Sequence, residues 1–572
     1  MFSVNRLQRE ADGGIAVAAE GDEAATYAAR ARRLGLPFVP SVDLGAGATA
    51  DLAAIAAARA ARATSGHWYI APDEDAVATS LHWLSRFPSA RGRLCVATPT
   101  AIRAALIKAA SPELMRAAVS GLADRHPHLS ARRVATTPQL VAAASLVGAL
   151  GVFAAMAPFA VVALLNLIGA IFFFGVSALR FVAAGRVRRR LPIDDARPEA
   201  VSDDALPVYS VLVPLHGEAQ MIPGLVAALD AIDWPRDRLD VKLVLEESDR
   251  TTIAAARRLA PRAHLEIVVV PKGGPQTKPK ALNYALPLAR GEFVTVYDAE
   301  DRPHPRQLRE AHATFLAAGP DVACLQAGLV IDNGDRGWLP LLFSIEYAAL
   351  FDGLLPALAS LKMPLPLGGT SNHFRRAALE AVGGWDPYNV TEDADLGLRL
   401  SRFGYRCATL DMATLENAPI RLLPWVRQRT RWFKGWLQTW LVHTRDPVRL
   451  WRELGPRGTL GFALVGTGLI VSSLVYPLHL ITILVALTNP LWLWGDGGIV
   501  AAMLVGANIF NLIAGYFAMA VLSDRALRLR GRGREARGLA LLPLYWLLMS
   551  VASYRAILDL VRRPHYWAKT PH

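Results

Sequence analysis

The chain alternates long charge-free stretches with a central block patterned as strands and helices. Residues 140–179 hold no charged side chain. A helix needs about 20 apolar residues to cross a bilayer, so this stretch is long enough for two spans, with Ala157-Pro158 as the turn between them. A second uncharged run lies between Arg457 and Asp496, and a third between Gly497 and Ser523. Together these predict four membrane helices, two within 138–182 and two within 457–523. The second run exceeds one span, so either Pro477 kinks it or its ends lie along the interface.

Between the apolar pairs, residues 190–445 change period. YSVLVPL (209–215) is apolar throughout, the pattern of a strand buried on both faces. VKLVLEE (241–247), LEIVVVP (265–271) and EFVTVYD (292–298) follow at intervals that leave room for helices, which predicts βαβ units and a mostly parallel sheet. Glu246-Glu247 and Asp298 stand at strand ends, where open α/β sheets bind ligands. Residues 1–135 are rich in Ala and Arg, with helical patterning and short apolar runs such as RLCVAT. They read as a small separate N-terminal α/β domain.

Charge then orients the spans. Lys and Arg outnumber Asp and Glu by 62 to 49, a net +13. The excess collects in RFVAAGRVRRR (180–190), RDPVRLWRELGPRG (445–458) and RALRLRGRGREARG (525–538), whereas the segments at Pro158 and 488–498 lack Lys and Arg. By the positive-inside rule the basic loops, both termini and the 190–445 block face the cytoplasm. Basic runs flanking apolar spans argue for an anionic membrane face and against nucleic acid as a partner. Three cysteines at no metal-ligand spacing imply no disulfide framework. MFSVNRLQREADGG lacks the apolar core of a signal peptide.

Four stretches have the composition of a reaction site. In YDAEDRPHP (297–305), Asp298, Glu300 and Asp301 offer oxygen ligands suited to Mg²⁺ or Mn²⁺ on a diphosphate; a solvated acidic turn would look the same. TKPKALNYAL (277–286) brings Lys278 and Lys280 to a helix start, where cations and free N–H groups favour an anion. NVTEDADLGLRL (389–400) places Glu392, Asp393 and Asp395 at the start of a helix. Thr391 as cap and an Asp395–Arg399 pair would account for these acids structurally, while a general base would need one of them exposed. In RQRTRWFKGWLQTW (427–440), Gln428, Arg431 and Trp432 share one helical face, as expected at a membrane interface or where a phosphate and a sugar ring are held.

In order, VPLHGE (213–218), LEES (245–248), TKPKALNYAL, DAED (298–301), TED (391–393) and QRTRW (428–432) resemble the family 2 glycosyltransferases of the cellulose-synthase type. The resemblance implies a cytoplasmic α/β GT-A domain inserted between pairs of transmembrane helices in a bacterial inner membrane. It implies inverting transfer from a UDP-sugar such as UDP-glucose to a growing β-glycan extruded across the membrane. A single addition to a polyprenyl-phosphate or glycolipid acceptor is the alternative, and a homo-oligomer or secretion partner would help to complete a pore. By match, Asp393 is the catalytic base. Glu218, Glu246, Glu247, Lys278, Lys280, Asp298 and Arg431 bind the donor, Asp298 and Glu300 hold a divalent metal, and Glu392, Gln428 and Trp432 face the acceptor. Residues 539–563 resemble an interface helix, and WAKTPH (567–572) a gating loop with Thr570 in the lid. The motif reads DAE where the family has DAD, and Glu where the first acidic site has Asp. YAARARRLGLPFVPSVDL (27–44) weakly resembles the N-terminal domain of type II secretion ATPases, which implies cyclic di-GMP as a regulatory ligand.

Overall fold

In a computed structural model of the chain the described residues are 23–48, 50, 55, 58–187, 201–259, 264–488 and 498–566. They belong to two compact units, Met1–Gly121 with Ser202–Ala299, and Leu122–Val201 with Glu300–His572.

The first unit contains two sheets. In the smaller, β1 (Ala60–Arg62) runs antiparallel to β2 (Trp68–Ile70), which runs parallel to β3 (Leu94–Val96). Helix Glu74–Arg86 packs with this sheet and is capped by Asp73, whose carboxylate accepts the Ala76 N–H at 2.9 Å. Leu34, Val77, Val96 and Ile102 are in the core. The larger set follows the hydropathy reading closely: β4 (Tyr209–Leu215), β5 (Leu239–Glu246), β6 (Leu265–Val270) and β7 (Phe293–Val296) are all parallel, in the order β6-β5-β4-β7. β4 and β5 are covered almost throughout; β4 is accordingly apolar along its length, while β5 carries the buried, mutually paired Asp240 and Lys242. Tyr209 stacks on Phe293 (ring centroids 5.6 Å apart) and meets Trp234 edge-on.

One polar cluster interrupts this core. Asp240, 3 % exposed, accepts from Ser210 Oγ (2.7 Å) and from Arg290 N and Nε (both 3.0 Å), and pairs with Lys242. Burial works to raise its carboxyl, but Lys242 and Arg290 together hold it below the usual range.

The second unit contains β8 (Arg302–Pro303), β9 (Val322–Ile331), β10 (Asn372–Arg375) and β11 (Arg406–Glu416) in the order β10-β9-β11-β8. β10 and β8 are antiparallel to their neighbours, and β11 is parallel to β9. Helices Thr137–Met156 and Pro158–Arg186 are joined by the single non-helical residue Ala157, at the Ala-Pro pair where the turn is expected. Thr136 and Gln139 form a capping box at the first of them.

Six helices among the described residues are long and apolar enough to span a membrane by length and composition, against the four expected. The additional two are Trp338–Ser360 and Gly533–Arg562, the latter covering the segment read as an interface helix. Trp338–Ser360 is 72 % buried over its most apolar window, so its apolar residues face protein. It contains a π-helical turn, Ala349–Leu354, and two acids, Glu346 and Asp352. Pro447–Thr488 does not break at Pro477, which lies inside helix Gly468–Thr488. The helical backbone is interrupted at Gly455 (φ 65°), directly before Pro456. Asn508 donates to Asn166 Oδ1 at 2.8 Å and Asn511 to the Ala170 carbonyl at 3.0 Å, bonds that join two spans where the lipid offers no competing partner.

Candidate active site

Within the first unit the candidate donor residues lie at the ends of parallel strands. Glu246 ends β5 and is buried. Its carboxylate meets Lys280 Nζ at 2.8 and 3.0 Å, and the same ammonium, 0 % exposed, donates to the Gly273 carbonyl at 2.9 Å. Burial pushes the Glu246 carboxyl up, with Lys280 opposing it. Two residues expected to bind the donor thus neutralise each other inside the protein. Lys278 opens helix Lys278–Ala285 and ion-pairs with Asp298, whose side chain is 36 % exposed. Glu247 is exposed and accepts the Lys272 N–H at 3.1 Å. Glu218 is buried after β4, its Oε2 accepting from His216 N at 3.2 Å.

Sequence reasoning missed Asp249. It receives the Gly217 N–H and, at 3.2 Å, the Thr252 N–H, joining the loops after β4 and β5. Burial opposes, but these hydrogen bonds hold its carboxyl below the usual range. Its position three residues past the end of β5 was the available signal.

The second unit carries the TED and QxxRW motifs. Helix Glu392–Arg402 begins with three acids that have three different environments. Asp395 is 0 % exposed; Arg399 Nη2 donates to its Oδ2 at 2.8 Å, and His443 Nε2 lies 2.9 Å from its Oδ1. Arg402 donates to His443 Nδ1 at 3.0 Å, which fixes the proton on Nε2 and makes this neutral histidine a donor to Asp395. Burial would raise Asp395, but Arg399 and His443 hold it low. Glu392 is 6 % exposed. Asp393 is half-buried, with Oδ1 accepting the Ala394 N–H at 2.7 Å. The expected Thr391 cap is not made: its side chain makes no capping hydrogen bond and is packed against Gly435, where a Cβ would lie 2.2 Å from Thr391 Oγ1.

Gln428, Arg431 and Trp432 lie on helix Leu422–His443 and are half-buried. Gln428 Oε1 is enclosed without a hydrogen-bond partner. Trp432 stacks on Tyr347 (6.5 Å, 25°) and meets Phe343 edge-on. Between these motif positions is Arg429, also missed: 2 % exposed, it binds Glu346 through two hydrogen bonds of 2.7 Å and lies 4.3 Å from the Phe343 ring and 4.4 Å from that of Trp432. Tyr545 donates to the same carboxylate at 2.6 Å. The lone acid in WLPLLFSIEYAALF was the signal for this pair. Asp301, 1 % exposed, accepts a hydrogen bond from Thr370; Glu300 is half-buried. Thr570 lies outside the described residues.

Residues 293–511, which hold the DAE, TED and QxxRW motifs, match the family model described as Glycosyl transferase family group 2. That match covers well under half of the chain. Among its relatives, the probable glucomannan 4-beta-mannosyltransferase 1 of Arabidopsis thaliana is 26 % identical over 250 residues, 41 % of this chain and 44 % of that protein. The beta-monoglucosyldiacylglycerol synthase of Trichormus variabilis is 26 % identical over 282 residues, 48 % of this chain and 58 % of that protein. The chain thus spans about half the length of the curated relatives it matches. Among solved structures, the mannosyltransferase PcManGT from Pyrobaculum calidifontis in complex with GDP-Man and Mn²⁺ aligns over 70 % of this chain and 99 % of that one, at 21 % identity and a TM-score of 0.47.

Proposed function

We propose that this chain is an inverting family 2 hexosyltransferase that uses a UDP-sugar and extends a β-glycan at the membrane, with Asp393 as the general base. The observation that carries the reading is the sorting of the three acids. Glu392 and Asp395 are buried and Asp395 is spent on Arg399 and His443, whereas Asp393 keeps access to solvent. A base must reach the acceptor hydroxyl within hydrogen-bond distance, and that accessibility suits Asp393 alone among the three. Asp393 takes the hydroxyl proton as the oxygen attacks the anomeric carbon from the face opposite the leaving UDP. Arg431 and Lys278 offset the charge that builds on the departing diphosphate. Gln428, with an unbonded carbonyl oxygen, and Trp432, with its ring fixed by Tyr347, position the acceptor sugar.

A divalent metal fits the donor set. Asp298 and Glu300 are two carboxylates, and among the described residues no group of three or more His, Cys, Asp or Glu is placed to hold an ion. Mg²⁺ bound to nucleotides takes one or two protein carboxylates and fills the rest of its shell with phosphate and water. Held by Asp298 and Glu300, it would supply Lewis-acid neutralisation of the leaving group.

The relative named for glucosyldiacylglycerol synthesis supports single addition to a lipid as a second reading. Membrane vesicles given a panel of UDP-sugars with Mg²⁺ or Mn²⁺ decide the matter. Asp393→Asn should insert normally and lose turnover by about 10²–10⁴; near-native turnover would overturn the base. A product ladder that resists organic extraction supports the polymer, and one lipid-soluble product the alternative.

A further inference from the structure

The apolar helices of the second unit line a half-open cavity of about 520 Å³, in the range of small-molecule sites. Tyr476 lines it from helix Gly468–Thr488, Leu512 and Tyr516 from Gly498–Leu529, and Trp546 and Leu547 from Leu542–Arg562. Both tyrosine hydroxyls are spent on backbone, Tyr476 on the Pro543 carbonyl (3.4 Å) and Tyr516 on that of Leu539 (3.1 Å). The lining therefore offers carbon to an occupant, which excludes a sugar: each hydroxyl buried without a partner costs roughly 1–3 kcal/mol.

Charge supplies the second observation. The guanidinium of Arg180 lies 5.8 Å from the centroid of Trp546, a ring of the cavity wall. Among the described residues Arg180 makes no hydrogen bond or ion pair. The carboxylate whose field it feels is Glu346, which is already bound at both oxygens by Arg429. Two cations share one acid, so one positive charge remains beside an apolar cavity among membrane helices. We infer that this cavity is a binding site for an anionic phospholipid, taking one hydrocarbon chain against Leu512 and Leu547 and its phosphate near Arg180. This does not depend on the transfer reaction.

The test is native mass spectrometry of the full-length protein in mixed micelles. The probes are phosphatidylglycerol, diacylglycerol with the same chains, and inorganic phosphate. The wild type should keep one phosphatidylglycerol at a collision energy that strips the remainder, and keep neither diacylglycerol nor phosphate to that extent. Arg180→Gln should weaken phosphatidylglycerol retention about fivefold, the worth of one basic residue at an anionic membrane face, and Arg180→Lys should restore most of it. Leu512→Trp should fill the cavity and abolish retention; Leu547→Phe is the milder filler should the first variant fail to purify as a monodisperse species. Equal retention by the wild type and both fillers would show unselective annular lipid and overturn the inference. So would equal retention of diacylglycerol and phosphatidylglycerol with no response to Arg180→Gln.

Discussion

Replacing Glu346 by Gln keeps the size of the side chain and removes the charge that Arg429 was buried to meet. Arg429 is 2 % exposed and the Glu346 side chain 23 %. The pair is bidentate at 2.7 Å, and the Tyr545 hydroxyl lies 3.0 Å from Arg429 and 2.6 Å from Glu346. Breaking a fully buried pair by removing one partner costs about 3–5 kcal/mol. The access of Glu346 to solvent, and the Phe343 and Trp432 faces that still attract the cation, lower this to about 2–3 kcal/mol. Arg429→Met strands the carboxylate instead, with Tyr545 and water remaining to it, and should cost a similar amount. The double variant buries no unpaired charge and should recover about 2 kcal/mol relative to the sum of the singles. Scanning fluorimetry of the detergent-purified protein at one scan rate reads this as a melting temperature in the double variant no lower than in the worse single. Additive losses would refute the reasoning, because they would mean that the two side chains act on stability independently.

Three further outcomes follow from particular contacts. Gly397→Ala should prevent accumulation of folded protein, since its Cβ would lie 2.0 Å from the rigid Leu365 carbonyl oxygen. Gly404→Ala, with open space but φ at 85°, should cost only about 1 kcal/mol; expression and melting of the two variants check this. Lys280→Met leaves Glu246 buried without its cation, so its carboxyl rises further. A raised carboxyl favours the protonated fold, so the destabilisation should be small near pH 5 and grow towards pH 8; a pH-independent loss would contradict the pairing. Asp386, buried and near Asp395, is pushed up to about 6. Its contribution, about 1–3 kcal/mol, is therefore present below pH ~4 and lost as pH rises through about 6, and Asp386→Asn should flatten that part of the melting profile.

The strands that the hydropathy reading placed are those whose neighbours impose a single demand. β4 and β6 begin at the residues expected; β4, buried at all but one position, must be apolar throughout, and β6, though only partly buried, keeps a nearly continuous apolar run. The three acids were legible as a cluster but not as individuals, since sequence spacing shows that Asp395 and Arg399 share a face but not that His443, 48 positions away, closes the other side. A threonine before an acidic first turn signals a helix cap, which is the expectation at Thr391. Here the tight approach of Gly435 claims its side chain, a tertiary contact no local pattern encodes. Trp338–Ser360 escaped the charge-free criterion because Glu346 and Asp352 interrupt it, and both acids are there to meet cations, Arg429 and Arg530.

These partners separate holding from acting along helix Leu422–His443. Lys434 Nζ donates to Asp559 at 2.9 Å and to the Tyr566 carbonyl at 2.6 Å, which fixes the end of the C-terminal helix. Gln438 is 0 % exposed and its amide orientation follows from its neighbours. The Val390 N–H at 3.0 Å requires the oxygen, while the carbonyls of Tyr388 (3.3 Å) and Pro564 (3.0 Å) require the nitrogen. One side chain thus joins the loop just before Glu392 to the segment that follows the last helix. Asn389 adds a bond to Thr439 at 2.9 Å. With the buried residues Arg429, Lys434, Gln438 and His443 committed to position, the half-buried Gln428, Arg431, Trp432 and Asp393 are the residues to which the proposed function assigns contact with substrate. A catalytic group performs best when its own placement costs nothing at the moment of reaction, so under the proposed function the buried charges would serve the chemistry by taking no part in it.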